Sequence, residues 1–453
     1  MNTFRAINVF IAIVYLLAGA TRAHTAGEVW AWGYNLHGQI GDNTTTNRHE
    51  PVQTHILTDV IAIAGGYYHS LALKSDGTVW AWGRNEYGQL GDSTITGRYE
   101  PVQTHNITDV ITIVAGSCHS LALKSDGTIW AWGRNDMGQL GVNDTIDRYE
   151  PVQTHNLTDV ITIAAGGYHS LALKSDGTIW AWGSNDFGQL GDSTTTERKE
   201  PVQTHNLTDV VTIAAGGYHS LALKSDSTVW VWGRNFQGQI GDNTDTNRLV
   251  PVQTHNLTDV IAIAAGEYHS LTSKSDGTVW AWGNNYSGQL GDNTTTDRHE
   301  PVQTHNLTDV ITIAGGHFYS LSLKSDGTVW AWGHNYYGQL GVNDTIDRHE
   351  PVQTHILTDI DLIAGGYAHS LAVENVAGIE ETKEIRNPKL QAYPNPFTQY
   401  CSVAFHGCNS LQIYDLSGRL IKTVKGNTIG EKLKPGIYFL KVKGYKPVKV
   451  VKL

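Results

Sequence analysis

Residues 69–83 read HSLALKSDGTVWAWG, two alternating apolar runs divided by Ser75-Asp76-Gly77. Alternation with period two marks half-buried strands, and Ser-Asp-Gly is a tight-turn signal, so the stretch is a β-hairpin. It recurs with little change. GTVWAWG or a close variant begins at 27, 77, 127, 177, 227, 277 and 327, a period of 50 without insertion. HSLALKSDG starts at His69, His119, His169 and His219; it varies to HSLTSKSDG from His269 and YSLSLKSDG from Tyr319, and ends as HSLAVENVAG from His369. A fixed period of this length means one supersecondary unit per repeat, stacked because no unit can bury its apolar faces alone.

Four short runs in the first full unit have strand character: Val52 to Thr54, Val60 to Ala64, His69 to Lys74 and Thr78 to Trp82. Turn residues separate them, Leu57-Thr58-Asp59 and Gly65-Gly66 included, which predicts a four-stranded antiparallel meander. The long segment from Gly83 to Glu100 is expected to lead into the next meander. The chain opens with a fourth strand, Glu28 to Trp32, and its last repeat stops after a third, His369 to Val373. Together they predict an all-β, seven-bladed β-propeller closed by its two ends.

The segments WGRNEYGQLG, PVQTH and AGGYHSLALKSDG resemble the repeats of the regulator of chromosome condensation family over roughly residues 27–373. That resemblance implies the same seven-bladed ring and no single function. A secreted β-lactamase inhibitory protein looks like a protein-binding precedent within it. Nucleotide exchange on a small GTPase, the activity of the founding member, is the alternative by analogy, and a secreted polysaccharide-active enzyme is another.

Other segments set the domain plan. Residues 1–23, with Arg5, the apolar run Ile7 to Leu17 and Ala18-Gly19-Ala20, read as a signal peptide. A span needs about 20 apolar residues, so no membrane span is expected. The propeller is assigned to 24–373 and a polar linker to 374–389. Residues 390–453 are expected to form a small C-terminal β-sandwich. Tyr393-Pro394-Asn395-Pro396-Phe397, LQIYDLSGRLI with its turn at Gly418, LKPGIYFLKV with Gly436, and the final Lys449 and Lys452 resemble the sorting domain of the type IX secretion system of Bacteroidetes. The resemblance implies passage through the periplasm to the outer-membrane surface or the medium, with that secretion machinery as a partner.

From residue 384 onward, 12 Lys and Arg face 3 Asp and Glu; the remainder holds 20 against 40. An acidic ring repels phosphate backbones, so nucleic acid is not expected as a partner. Three cysteines are too few to stabilise an exported chain by disulfides. Cys118 reads as a buried filler at a position that is mostly tyrosine, and Cys401 and Cys408 are close enough to pair or to stay free.

Candidate chemistry is thin. All fourteen tryptophans belong to the repeated W-x-W, whose side chains share one strand face and should pack between blades. The histidine opening HSLALK is exchanged for Tyr319 once, which suits a hydrogen-bonded structural group and not a metal ring; His55 through His355 are read the same way. Asp42-Asn43-Thr44 offers calcium-type ligands, but Val142 and Val342 replace the aspartate, so a turn and capping role is expected. No cofactor, metal or catalytic arrangement is expected.

Positions that differ among copies are released from packing duty. One series is Tyr34, Arg84, Arg134, Ser184, Arg234, Asn284 and His334; two residues on it is Leu36, Glu86, Asp136, Asp186, Phe236, Tyr286 and Tyr336. The next is His37, Tyr87, Met137, Phe187, Gln237, Ser287 and Tyr337, and before the histidine come Tyr67, Ser117, Gly167, Gly217, Glu267, His317 and Tyr367. Hairpin geometry puts all four series on one rim, and aromatic, arginine and carboxylate residues on rigidly held loops have the composition of a recognition surface. A monomer that binds an extracellular protein or glycan is the expectation; solvated loops that vary without a ligand are the bland alternative.

Overall fold

A computed structural model describes residues 27–374, apart from 56 and 356, and the strand segments between 391 and 452. Each repeat from Val60 onward forms a four-stranded antiparallel sheet. In the first blade the strands run outward from the axis as Val60–Gly65, His69–Lys74, Val79–Gly83 and Arg98–Gln103. Five further sheets repeat this order, and a seventh is built from both ends of the ring.

The blade is therefore shifted by one strand from the sequence expectation. The PVQT run is outermost in its blade, and the segment after Gly83 returns to the same blade, pairing Gly83 with Arg98, Ala81 with Val102 and Trp80 with Gln103. The crossover between blades is the short 104–109 stretch. The burial pattern of Arg98–Gln103 is that of a wet edge, and Pro101 in that strand costs little because an edge strand can spare one N–H.

Closure differs accordingly. Blade seven has the order Ile360–Gly365, His369–Glu374, Glu28–Gly33 and Arg48–Gln53, so the N-terminus supplies two strands where one was expected. Val29 registers with Val373 and Ala31 with Leu371. Glu374, expected to open the linker, ends its strand and accepts a hydrogen bond from Trp30 Nε1 at 2.7 Å.

The core lies between blades. One cluster joins Leu71, Leu73, Val79 and Ala81 of blade one to Ile113, Ala122 and Trp132 of blade two. Trp82 and its six equivalents are fully buried, while Trp80 and its equivalents are half-buried, six of the seven beneath a lysine, with Lys74 Nζ 5.8 Å from the Trp80 ring. Both members of W-x-W pack between blades, as their shared strand face requires.

The chain divides into two compact units, 1–377 and 378–453. The second holds a sheet of Gln391–Tyr393, Cys401–Ala404 and Thr428–Ile429 and a sheet ordered Leu420–Lys425, Ser410–Tyr414, Gly436–Lys441, Val448–Lys452. The signal peptide, residues 375–389, Cys408, Pro394, Asn395, Pro396 and Gly418 lie outside the described residues, as do most side chains on which the expected sandwich rests. Among the described residues no helix is long and apolar enough to cross a membrane.

Candidate functional site: the loop-bearing rim

Each segment between third and outermost strands is pinned by the same polar frame. In blade seven, Asn35 is fully buried; its Nδ2 donates to Asp42 Oδ1 and to the carbonyls of Thr44 and Thr46, and its Oδ1 accepts from Ile40 N–H. Asp42 turns its other oxygen to Arg48 Nε at 2.6 Å. Hydrogen bonds from Thr44 and the Arg48 guanidinium, set against the opposing effect of burial, leave its carboxyl below the usual range. The aspartate is thus a loop anchor. Where Val142 and Val342 replace it, the acid moves two residues on, and Asp144 and Asp344 hold Arg148 and Arg348. Among the described residues there is no cluster able to hold a metal ion.

The frame also locks neighbouring blades. The carbonyl of Gln39 accepts from Trp82 Nε1 at 2.9 Å and from Ser70 Oγ at 2.8 Å. Because Ser70 spends its proton there, it must accept from His369 Nε2–H, 2.9 Å away. The same link runs from His69 to Ser120 and on around the ring, and Tyr319 completes it by donating to the His369 carbonyl. The Nδ1 atoms of these histidines are buried without a protein partner, so a second proton would sit unpaired in the core. Burial accordingly pushes each imidazole down to about 3. The second histidine series also makes hydrogen bonds, as in His155 to Glu200 and His305 to Glu350, but at the surface. His55, His155, His255 and His305 are exposed and pair with Glu100, Glu200, Glu300 and Glu350 of the following blade.

On this foundation the variable positions share one rim. Gly83 registers with His69, and Arg84 N–H donates to the Tyr68 carbonyl. Leu36, Glu86, Asp136, Asp186, Phe236, Tyr286 and Tyr336 are exposed; Tyr34, His37, Tyr87, Met137, Phe187, His334 and Tyr337 are half-buried. Rings gather in an arc: Tyr34 lies 4.7 Å from Tyr337, and Tyr337 4.9 Å from Tyr336. Three arginines interleave with them. Arg84 covers Tyr68 and pairs with Glu86, and Arg134 covers Tyr87 and pairs with Asp136. Arg234 lies among Phe187, Tyr218, Phe236 and Tyr268. Leu36, Met137, Asp186 and Tyr286 take no part in these ring and ion-pair contacts. Tyr67, Glu267, His317 and Tyr367 stand apart from the loops, around the mouth of the central channel.

Sequence comparison among copies missed Tyr68, Tyr168, Tyr218, Tyr268 and Phe318. They form an inner tier, with Tyr218 6.3 Å from Tyr268 and Tyr268 5.6 Å from Phe318. Their near-constancy looked like packing, although an aromatic residue held on a rim is itself a contact surface. Cys118 occupies this position in blade two and is buried, as expected, with its thiol pushed up to about 11.

Comparison with known proteins agrees with this architecture. The model of the RCC1-like domain matches residues 98–379, and regulator of chromosome condensation repeats match 26–73 and 60–89. A secretion system C-terminal sorting domain matches 391–453, which marks the protein for export to the cell surface or the medium. Among solved structures, Prp20p of Saccharomyces cerevisiae, described with its binding to Gsp1p and histones, superposes with a TM-score of 0.71 at 23% identity over 81% of this chain and 95% of that one. The yeast protein bound to Kap60 gives 0.71 at 22%, covering 78% and 90%. Human WBSCR16 gives 0.70 at 22%, covering 77% and 99%.

Proposed function

We propose that this chain, which belongs to the RCC1-like domain family, is an exported binding module whose loop-bearing rim holds a protein or glycan outside the cell and performs no catalysis of its own. One observation carries this reading. The most exposed variable position divides the ring into two contiguous arcs: carboxylates at Glu86, Asp136 and Asp186, then large apolar groups at Phe236, Tyr286, Tyr336 and Leu36, which are 55%, 82%, 68% and 59% exposed. Exposed aromatic side chains beside fixed charges, on loops that a rigid frame holds in place, are what a specific contact surface needs. Two of the three acids are already paired with arginines of their own loops, which fixes their orientation.

The test uses immobilised full-length protein against proteins of the culture medium and an array of purified glycans. Combining Phe236→Ala, Tyr286→Ala and Tyr336→Ala should weaken capture at least about tenfold at an unchanged melting temperature. Equal capture by both proteins would remove the rim as the binding site.

A further inference from the structure

The central channel, about 350 Å³, is lined along its length by isoleucine, alanine and glycine of the seven innermost strands. Its mouth at the loop-bearing rim is lopsided. Tyr67, Tyr367 and His317 wall one side, with Tyr67 4.8 Å and His317 4.1 Å from the Tyr367 ring. Ser117, Gly167 and Gly217 leave the other side low.

Between them lies Glu267, only 7% exposed. Its side chain extends over Gly217, where a Cβ would come within 2.4 Å of the carboxyl carbon. It accepts a hydrogen bond at Oε1 from the Tyr67 phenol, which belongs to a repeat 200 residues away in the sequence. Among the described residues no cation stands within ion-pair distance of it. Arg234, the nearest to act on it electrostatically, is engaged with four aromatic rings. A carboxylate stripped of water and left without a counter-ion is costly, and the cost falls when a cation arrives.

We propose that this mouth is a binding site for a primary alkylammonium group, with Glu267 as counter-ion and the rings of Tyr67, His317 and Tyr367 as its walls. Ring faces attract cations, and the apolar channel accepts an alkyl stem. Tyr67 already occupies one carboxylate oxygen, so a compact ammonium suits the remaining one better than a guanidinium, which favours both. One carboxylate offers too few oxygens for a calcium ion. Burial raises the Glu267 carboxyl to about 7, so cation binding near neutrality should expel a proton. Of the other groups facing it, burial keeps Tyr67, Tyr218, Tyr268 and Tyr367 as phenols and His317 neutral, down at about 3. The site stands whether or not the outer loops hold a partner.

Titration calorimetry of the full-length protein with n-butylammonium, and with Gly-Lys-Gly and Gly-Arg-Gly peptides blocked at both ends, tests this. Binding of butylammonium assigns the site to free amines; binding of the lysine peptide alone assigns it to a protein lysine. In either case Glu267→Gln, which keeps the shape, should weaken binding at least about tenfold and abolish proton release at pH 7. Melting of that variant near the native temperature keeps the loss from being one of folding. Failure of both amines to bind, equal binding by Glu267→Gln, or a preference for the arginine peptide would overturn the proposal.

Discussion

The two rims of this ring come from the same repeats and follow opposite rules. On the rim bearing the Ser-Asp-Gly turns, the constant aspartate and threonine satisfy each other locally: Asp76 Oδ1 accepts from both the N–H and the hydroxyl of Thr78, and the same pair recurs in the other complete repeats. On the opposite rim a recurring frame of Asn35, Gln39 and an acid, Asp42 or in two repeats Asp144 and Asp344, meets the backbone's hydrogen-bonding needs, which frees Tyr34, Leu36 and His37 to differ. A segment can vary at its tip only when something else in it holds the main chain. That division of labour is the physical reason one rim can specialise while the other cannot.

Acid should break this comparison most strongly. Six buried histidines under the loop-bearing rim have folded values near 3 against an unfolded value of 6.5. Their neutral burial therefore contributes stability that is complete above pH 6.5 and is lost as pH falls toward 3, because the unfolded chain takes up the protons first. Each histidine costs about 1.4 kcal/mol per pH unit once the unfolded imidazole is charged. Glu267, with its raised value, works weakly in the opposite sense. On the other rim the Thr78 hydrogen bonds lower the Asp76 carboxyl, so that turn weakens only below the ordinary carboxylate range. Melting curves should fall steeply between pH 6.5 and 4.5. A flat melting temperature over that interval would show that the histidine ring carries no such load.

A smaller effect separates frame from tip at adjacent residues. Asn235 is fully buried and repeats the Asn35 hydrogen bonds to Asp242, Thr244, Thr246 and Ile240. Asn235→Ala strands those partners and should cost roughly 2–4 kcal/mol. Phe236→Ala, one residue on and exposed, should stay within about 0.5 kcal/mol. Denaturant titrations that gave the two variants similar losses would erase the distinction.

The smallest effect concerns the turn rim. Gly77 has φ +79°, and its counterpart Ser227 adopts +66° with a side chain that disfavours it. Ser227→Gly should gain about 1 kcal/mol, and Gly77→Ser should lose about as much. Opposite shifts in denaturation midpoint are the expected pair of outcomes, and no shift in either would mean that the turns tolerate a Cβ freely.

By itself the sequence was enough for the blade count, the interblade placement of W-x-W and the shared rim of the variable positions, because each follows from a short-range regularity: period 50, period two, and the hairpin that puts Gly83 beside His69. Strand order within the blade was not legible. The run Arg98–Gln103 is polar and carries Pro101, so nothing local says whether it opens one blade or finishes another; the pairing of Trp80 with Gln103 decides it. The doubled closure through Glu28–Gly33 and Arg48–Gln53 follows from that same shift. Nor could any window of sequence bring Tyr67 onto Glu267, two hundred positions apart. Only a closed ring turns equivalent positions of distant repeats into neighbours around a single channel mouth, and it is there that a buried charge acquires its surroundings.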